Sequence, residues 1–212
     1  MLYDFIKRIV DIVGCLFLGI LFSPMCAAAI VAIKLDSPGP ILADTPPRVG
    51  KNGKLFKMYK FRSMVINAHK ILRRDPKFKA LFEQYKKNSY KLRGDPRVTS
   101  IGRFLRRHSV DEIPQLLNVI RGEMTLVGPR AYYPDELDEQ QKKYPHTRKL
   151  VNEVLSVRPG ITGAWQVSGR SEVNFDKRIG IDAAYVRRRS IWYDIKILAK
   201  TPWAMISGKG AV

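Results

Sequence analysis

The residues best suited to chemistry stand together at Arg106-Arg107-His108-Ser109-Val110-Asp111-Glu112-Ile113-Pro114-Gln115, where adjacent carboxylates follow consecutive arginines. Two readings fit this string. Ser109-x-x-Glu112 has the spacing of a capping box, and acidic residues suit the positive end of a helix. The same position beside several cations favours an ionised carboxylate, so Asp111 is expected to be charged and available as a nucleophile. Neighbouring Lys and Arg would then attract a diphosphate and neutralise charge developing on a transferred phosphoryl group. Glu112 suits Mg²⁺, which binds through one or two carboxylates together with substrate phosphates.

Three further clusters carry less chemistry each. Lys60-Phe61-Arg62-Ser63-Met64 is a compact cationic patch, and Gly128-Pro129-Arg130 is a turn presenting one Arg. Arg158-Pro159-Gly160-Ile161-Thr162-Gly163-Ala164-Trp165 joins backbone freedom to an aromatic, which suits either a nucleotide cradle or a packed loop. Other chemistries find no support. The chain lacks a P-loop, a dinucleotide fingerprint, a nucleophile elbow and an HExxH helix. Its three His (His69, His108, His146) have no zinc spacing, and two Cys make no disulfide framework.

These groups need elements to hold them, and the charge pattern divides the chain. The 212 residues carry a formal +19, which calls for an anionic partner: nucleic acid, lipid headgroup or phosphorylated substrate. Positions 57–107 hold 16 basic residues against three acidic ones, while residues 1–35 are nearly neutral. Ile12 to Ile33 is a run of 22 residues without a formal charge. As one straight helix it would reach about 33 Å, enough to cross a bilayer core. Pro24, after Ser23, divides it into two halves, each about half a bilayer deep. Basic residues flank both ends, which suits a helix that enters and returns on the cytoplasmic side. A spanning helix, a re-entrant helix and a signal peptide all remain open on pattern alone.

Beyond the turn cluster Asp36-Ser37-Pro38-Gly39-Pro40, Asn52-Gly53 and the following Leu55 to Tyr59 predict a short hairpin. Helical periodicity covers 66–90 with an interruption at Pro76, and again 101–107. A further helix is predicted from Ser109–Asp111, carrying Ile113, Leu116, Leu117 and Ile120 on one face, with Gly122 after its end. Residues 135–155 also read as helix and 157–169 as a Gly-rich loop. Residues 192–206 are apolar and aromatic with interspersed Lys, suited to lie on a membrane surface.

Taken together, Ser23-Pro24, KFRSM at 60–64, SVDEIPQLLNVIRGEMTLVGPR at 109–130 and RPGITGAWQVSGR at 158–170 resemble the bacterial monotopic phosphoglycosyl transferases, the bacterial sugar transferase family. The resemblance covers essentially the whole chain, with four blocks in the family's order. It implies a predominantly α fold with a small β-hairpin element. A re-entrant membrane helix (1–35), broken at Ser23-Pro24, and amphipathic interfacial helices would surround a compact cytosolic catalytic domain (36–212). It further implies transfer of a sugar 1-phosphate from a UDP-sugar to polyprenyl (undecaprenyl) phosphate in the bacterial inner membrane, with release of UMP. Such a reaction opens the assembly of exopolysaccharide, O-antigen, capsule or glycoprotein glycan. Asp111 maps to the nucleophile that forms a phosphosugar-aspartyl intermediate in a ping-pong reaction, and Glu112 to the Mg²⁺ ligand. Lys60, Arg62, Arg106, Arg130, Arg170 and Asp182 are the polar substrate-binding candidates. Thr45-Pro46-Pro47-Arg48 departs from the Gln-x-Arg usual in relatives, which puts the local loop geometry in question. Many relatives also carry an N-terminal membrane domain, so a chain beginning at this helix reads as a short stand-alone enzyme or a catalytic part.

The expected partners are therefore a UDP-sugar, a polyprenyl phosphate and an anionic bilayer. Oligomeric state stays open, with a homodimer allowed. The rival from another class is a membrane-tethered nucleic-acid-binding protein, built on the basic segment with Phe61, Tyr85 and Tyr90 interleaved. A basic protein that only binds anionic lipid is a third reading.

Overall fold

The computed structural model describes residues 2–87, 90, 92, 94–168 and 174–206. The uncharged run does not form one straight rod. Leu2–Leu21 make α1, Ser23–Asp36 make α2, and the two are bent by 60° at the break. Pro24 lies in the first turn of α2 and has no N–H to offer the carbonyl of Ile20 four residues back. The Ser23 hydroxyl donates to that carbonyl instead, at 2.8 Å. No single helix among the described residues is long and apolar enough to cross a membrane; α1 and α2 meet that length and composition only as a bent pair.

One face of α1 is exposed and apolar, including Phe5, Ile9, Val13, Phe17 and Ile20. The other face is bonded to the rest of the chain. Lys7 Nζ reaches Asp194 at 2.7 Å, and Arg8 donates to the carbonyls of Val119 (2.6 Å) and Ile120 (2.9 Å). Buried Asp11 accepts from the Thr125 hydroxyl at 2.6 Å and from the Leu126 N–H at 3.1 Å. Polar bonds therefore tie the first helix to segments more than 100 residues away.

The predicted hairpin forms from β1 (Arg48–Val49) and β2 (Leu55–Phe56), antiparallel, with Asn52 and Gly53 in the turn. The helical region after it breaks at Pro76 into α3 (Ala68–Arg74), a 3-10 turn (Pro76–Phe78) and α4 (Lys79–Lys87). α5 (Ser100–Arg107) starts where the Thr99 hydroxyl accepts the Gly102 N–H at 3.0 Å. The acidic pair is not at an α-helix N-terminus. Val110–Gln115 is a 3-10 turn with Pro114 inside it, and only Leu116–Ile120 is α-helical (α6).

The second half shows two differences from expectation. Residues 135–155 split into α7 (Pro134–Lys143) and α8 (Arg148–Leu155), because Pro145 opens a 3-10 turn between them. Inside the Gly-rich segment, β4 (Gly160–Thr162) pairs in parallel with β3 (Thr125–Val127) and is followed by α9 (Ala164–Val167). The fold is mostly helical, as expected, but its β content comprises this parallel pair as well as the hairpin. α10 (Phe175–Arg188) packs on α8, and α11 (Ile191–Ile206) closes the described chain. α11 leaves Trp192, Ile195 and Trp203 exposed while burying Ile197 and Asp194.

Candidate active site

The acidic turn is held from three sides. Buried Val110 packs with Ala29 and Ile33 of α2, with Leu105 of α5 and with Phe61. The Phe61 N–H donates to the carbonyl of Asp111 at 2.9 Å, which brings the Lys60-Phe61-Arg62 segment alongside the turn. Asn118 of α6, fully buried, clamps the same segment: it accepts the Tyr59 N–H at 2.9 Å and donates to the Lys57 carbonyl at 2.8 Å. The result places Lys60 Nζ 2.7 Å from a Glu112 oxygen and 3.7 Å from an Asp111 oxygen. No capping box forms, since Ser109 has φ +56° and makes no side-chain cap.

The pKa shift of Asp111 runs opposite to the direction that its neighbouring cations alone would give. Burial raises its pKa, and the neighbouring Glu112 carboxylate adds to that; Lys60 and Arg106 pull the other way without prevailing. Adjacent cations favour ionisation, but Asp111 is only 6% exposed, and the loss of water outweighs them. Lys60 moves in the complementary sense. Burial lowers its pKa, yet Glu112 and Asp111 outweigh that and keep the ammonium charged.

Asp111, Glu112, Lys60 and Arg106 line one cavity of about 280 Å³, and Arg130 lines it too. Arg130 arrives from the turn that follows β3 of the parallel pair. Gly128 N–H donates to the Thr162 carbonyl (2.9 Å) and Gly160 N–H to the Pro129 carbonyl (2.8 Å), so the Gly-Pro-Arg and Arg-Pro-Gly turns interlock. A Cβ on Gly160 would come within 2.1 Å of the Gly128 nitrogen, which requires glycine there. The Gly-rich segment is thus both a packed loop and part of the cavity wall. The Arg130 guanidinium lies 5.2 Å over the Trp165 ring, and its Nε has no hydrogen-bond partner among the described residues.

The remaining candidates divide. Arg62 borders the cavity, but its guanidinium donates to the carbonyls of Pro38 (2.6 Å) and Ser37 (2.7 Å), just past the end of α2. Asp182 is fully buried away from the cavity lining and accepts from the Arg130 N–H (3.1 Å) and the Tyr132 hydroxyl (3.2 Å). It positions the Arg130 turn. Arg170 lies outside the described residues.

Several lining residues escaped sequence reasoning. Arg48, buried in β1, donates to the Ala131 carbonyl at 2.9 Å and stacks 3.3 Å above the centre of the Tyr133 ring. Burial would raise the Tyr133 phenol, but Arg48, the Tyr85 hydrogen bond, Lys60 and Arg130 together bring it below its usual value. His69 is pushed down to about 3 by burial and by Arg97, Arg48 and Arg73, so it is neutral. The Thr45-Pro46-Pro47 departure leaves Arg48 in this wall, and Arg48 in the run before Gly50 was the one signal in sequence that pointed here. The aromatics of the basic segment are not displayed among its charges: Phe61, Tyr85 and Tyr90 are buried, while Lys70, Arg74, Lys77 and Lys79 are exposed. That arrangement leaves the nucleic-acid reading without the interleaved aromatics it is built on.

Comparison with known proteins gives the chain its family. The family profile described as bacterial sugar transferase matches residues 2–208. The undecaprenyl-phosphate galactose phosphotransferase of Salmonella typhimurium is 41% identical over 211 residues, covering 98% of this chain and 42% of that protein. The UDP-N-acetylgalactosamine-undecaprenyl-phosphate N-acetylgalactosaminephosphotransferase of Aeromonas hydrophila is 38% identical over 99% of this chain and 46% of its own length. The exopolysaccharide production protein ExoY of Rhizobium meliloti is 37% identical over 97% of this chain and 87% of its own. The chain thus spans about two fifths of several curated relatives it matches and most of another. With the family profile covering nearly every residue, the chain belongs to the bacterial sugar transferase family.

Proposed function

We propose that this chain transfers a sugar 1-phosphate from a UDP-sugar to polyprenyl phosphate, releasing UMP and forming a polyprenyl-diphosphate sugar. The observation that carries the reading is a buried carboxylate, Asp111, beside Lys60 and Glu112 in a cavity walled by arginines. An Asp111 oxygen attacks the β-phosphorus, the bond from that phosphorus to the bridging oxygen breaks, and UMP leaves with the electron pair. The phosphate of the lipid then attacks the same phosphorus and the Asp111 carboxylate departs, restoring the enzyme. Burial keeps water from competing with the acceptor for the aspartyl phosphate. Lys60 and Arg130 face the charge that develops on the phosphoryl oxygens.

Mg²⁺ suits the donor set. Among the described residues no three His, Cys, Asp or Glu gather into a protein cage, whereas Glu112, the more exposed of the two carboxylates, stands at the cavity. Glu112 would hold the ion together with diphosphate oxygens, and the ion would neutralise phosphoryl charge. The bent helix pair supports re-entrant insertion into the cytoplasmic leaflet of the inner membrane. Its polar side is bound to the catalytic fold, and its apolar side is open. The name of the Rhizobium meliloti relative supports exopolysaccharide production as the setting.

Purified chain with undecaprenyl phosphate and a panel of UDP-sugars should release UMP, and Asp111→Asn should lower turnover by about 10⁴-fold or more while still floating with vesicles. Labelled sugar phosphate should stay on the wild-type protein when lipid is omitted. Near-normal turnover in the Asp111→Asn variant would refute the nucleophile.

A further inference from the structure

We propose that Leu42, Val65 and Ile66 form the entry site for the lipid acceptor, seating its first isoprene units so that its phosphate reaches Asp111. The inference rests on the transferase reading above. All three side chains line the same cavity as Asp111, and they are 38%, 44% and 46% exposed. Phe56, Met58 and Phe61 of this stretch are buried, and Leu55, though exposed, is not part of the cavity wall, so these three are the exposed aliphatic side chains that border the cavity here. A nucleotide sugar has no aliphatic surface to cover them. A polyprenyl chain has a branched five-carbon unit immediately after the phosphate ester.

The rim also lies where such a chain would arrive. Leu42 pairs with Phe61, one residue from Lys60. Ile66 sits on the segment that leaves α2: a Cβ added to Gly39 would come within 2.7 Å of the Ile66 Cδ1. α2 itself leaves Val31 and Leu35 exposed, so the apolar surface of the membrane helix and the rim of the cavity meet at Pro38–Pro40. Elsewhere the cavity wall carries Arg48, His69, Arg97 and Tyr133, which offer hydrogen bonds and charge in place of aliphatic cover.

The test uses the full chain in nanodiscs with undecaprenyl phosphate. Leu42→Ser/Ile66→Ser should raise the acceptor KM about tenfold or more, since withdrawing each aliphatic side chain from the isoprene units weakens binding several-fold. Donor KM and kcat at saturating acceptor should stay within about twofold. Val65→Ser alone should move the same parameter in the same direction by less, which guards against misfolding of the double variant. An unchanged acceptor KM overturns the entry site, as does a parallel rise in donor KM or a loss of vesicle flotation that accounts for the defect. If wild-type chain makes no polyprenyl-linked product, the transferase reading itself falls. Wild-type turnover with an unaltered acceptor KM in the variants refutes the entry site alone.

Discussion

Lys60 balances two carboxylates, 2.7 Å from one and 3.7 Å from the other. Lys60→Met leaves Asp111 and Glu112 repelling each other in a poorly hydrated site and removes a cation from the phosphoryl group. Turnover measured by UMP release is expected to fall about 10²–10³-fold. Asp182 yields a different prediction. Burial pushes its pKa up to about 7, although the Arg130 N–H and the Tyr132 hydroxyl favour its charged form. In the unfolded chain an aspartate titrates near about 3.9. Between those values the native protein holds a proton that the unfolded chain has released. Stability therefore declines as pH rises from about 4 to about 7, and the penalty is complete above that. Asp182→Asn keeps an oxygen acceptor and removes the titration, so Tm against pH should flatten over that interval; an unchanged slope would clear Asp182 as its source. At this scale, sequence showed which groups are present but not their state. The adjacent Asp111 and Glu112 could be seen, whereas the raised pKa of Asp111 depends on what Val110, Phe61 and Pro114 exclude from it, which only tertiary packing sets.

At the scale of elements, the acidic turn depends on the close approach of α5 to the Lys60–Ser63 segment. A Cβ on Gly102 would lie 1.9 Å from the Ser63 carbonyl oxygen. Gly102→Ala is expected to push α5, and Arg106 with it, away from the cavity. Thermal unfolding should show a loss of about 1–3 kcal/mol, with turnover falling further than stability alone accounts for. Asp11→Ala removes the acceptor for two donors of β3 and should cost about 3 kcal/mol in the same assay. The elements legible beforehand were those with punctuation: the kink at Pro24, the break at Pro76 and the Asn52-Gly53 turn. α10 escaped because its buried face mixes Phe175, Ile179 and Ala183 with Arg178 and Asp182, which dilutes the apolar period. The β3–β4 pair escaped because three-residue strands are too short to show alternation, and one of them lies within a Gly-rich run.

Across the described residues, most exposed large apolar side chains lie on α1 and α2, at Phe104 of α5, at Leu117 and Ile120 of α6 and at the tryptophans of α11, the elements that the proposed insertion would bring to a membrane. Trp192 is 65% and Trp203 77% exposed, whereas Trp165 is buried at the cavity. Bilayers with brominated acyl chains should quench the fluorescence of a Trp165→Phe protein strongly, and quenching should be lost in a Trp192→Phe/Trp203→Phe protein that retains Trp165. Equal quenching of the two would show that α11 does not reach the acyl chains. The basic side chains divide between those that line the cavity, among them Arg48, Lys60, Arg97, Arg106 and Arg130, and those left exposed, such as Lys70, Arg74, Lys77 and Lys79. The bonds of α1 also have a consequence for the timing of synthesis. Lys7, Arg8 and Asp11 leave the ribosome before their partners in α11, the end of α6 and β3. Until residue 194 is made, Lys7 has Asp11 of its own helix, at 3.6 Å, in place of its closer carboxylate at 2.7 Å. The polar face of α1 is therefore closed only after α11 has been made.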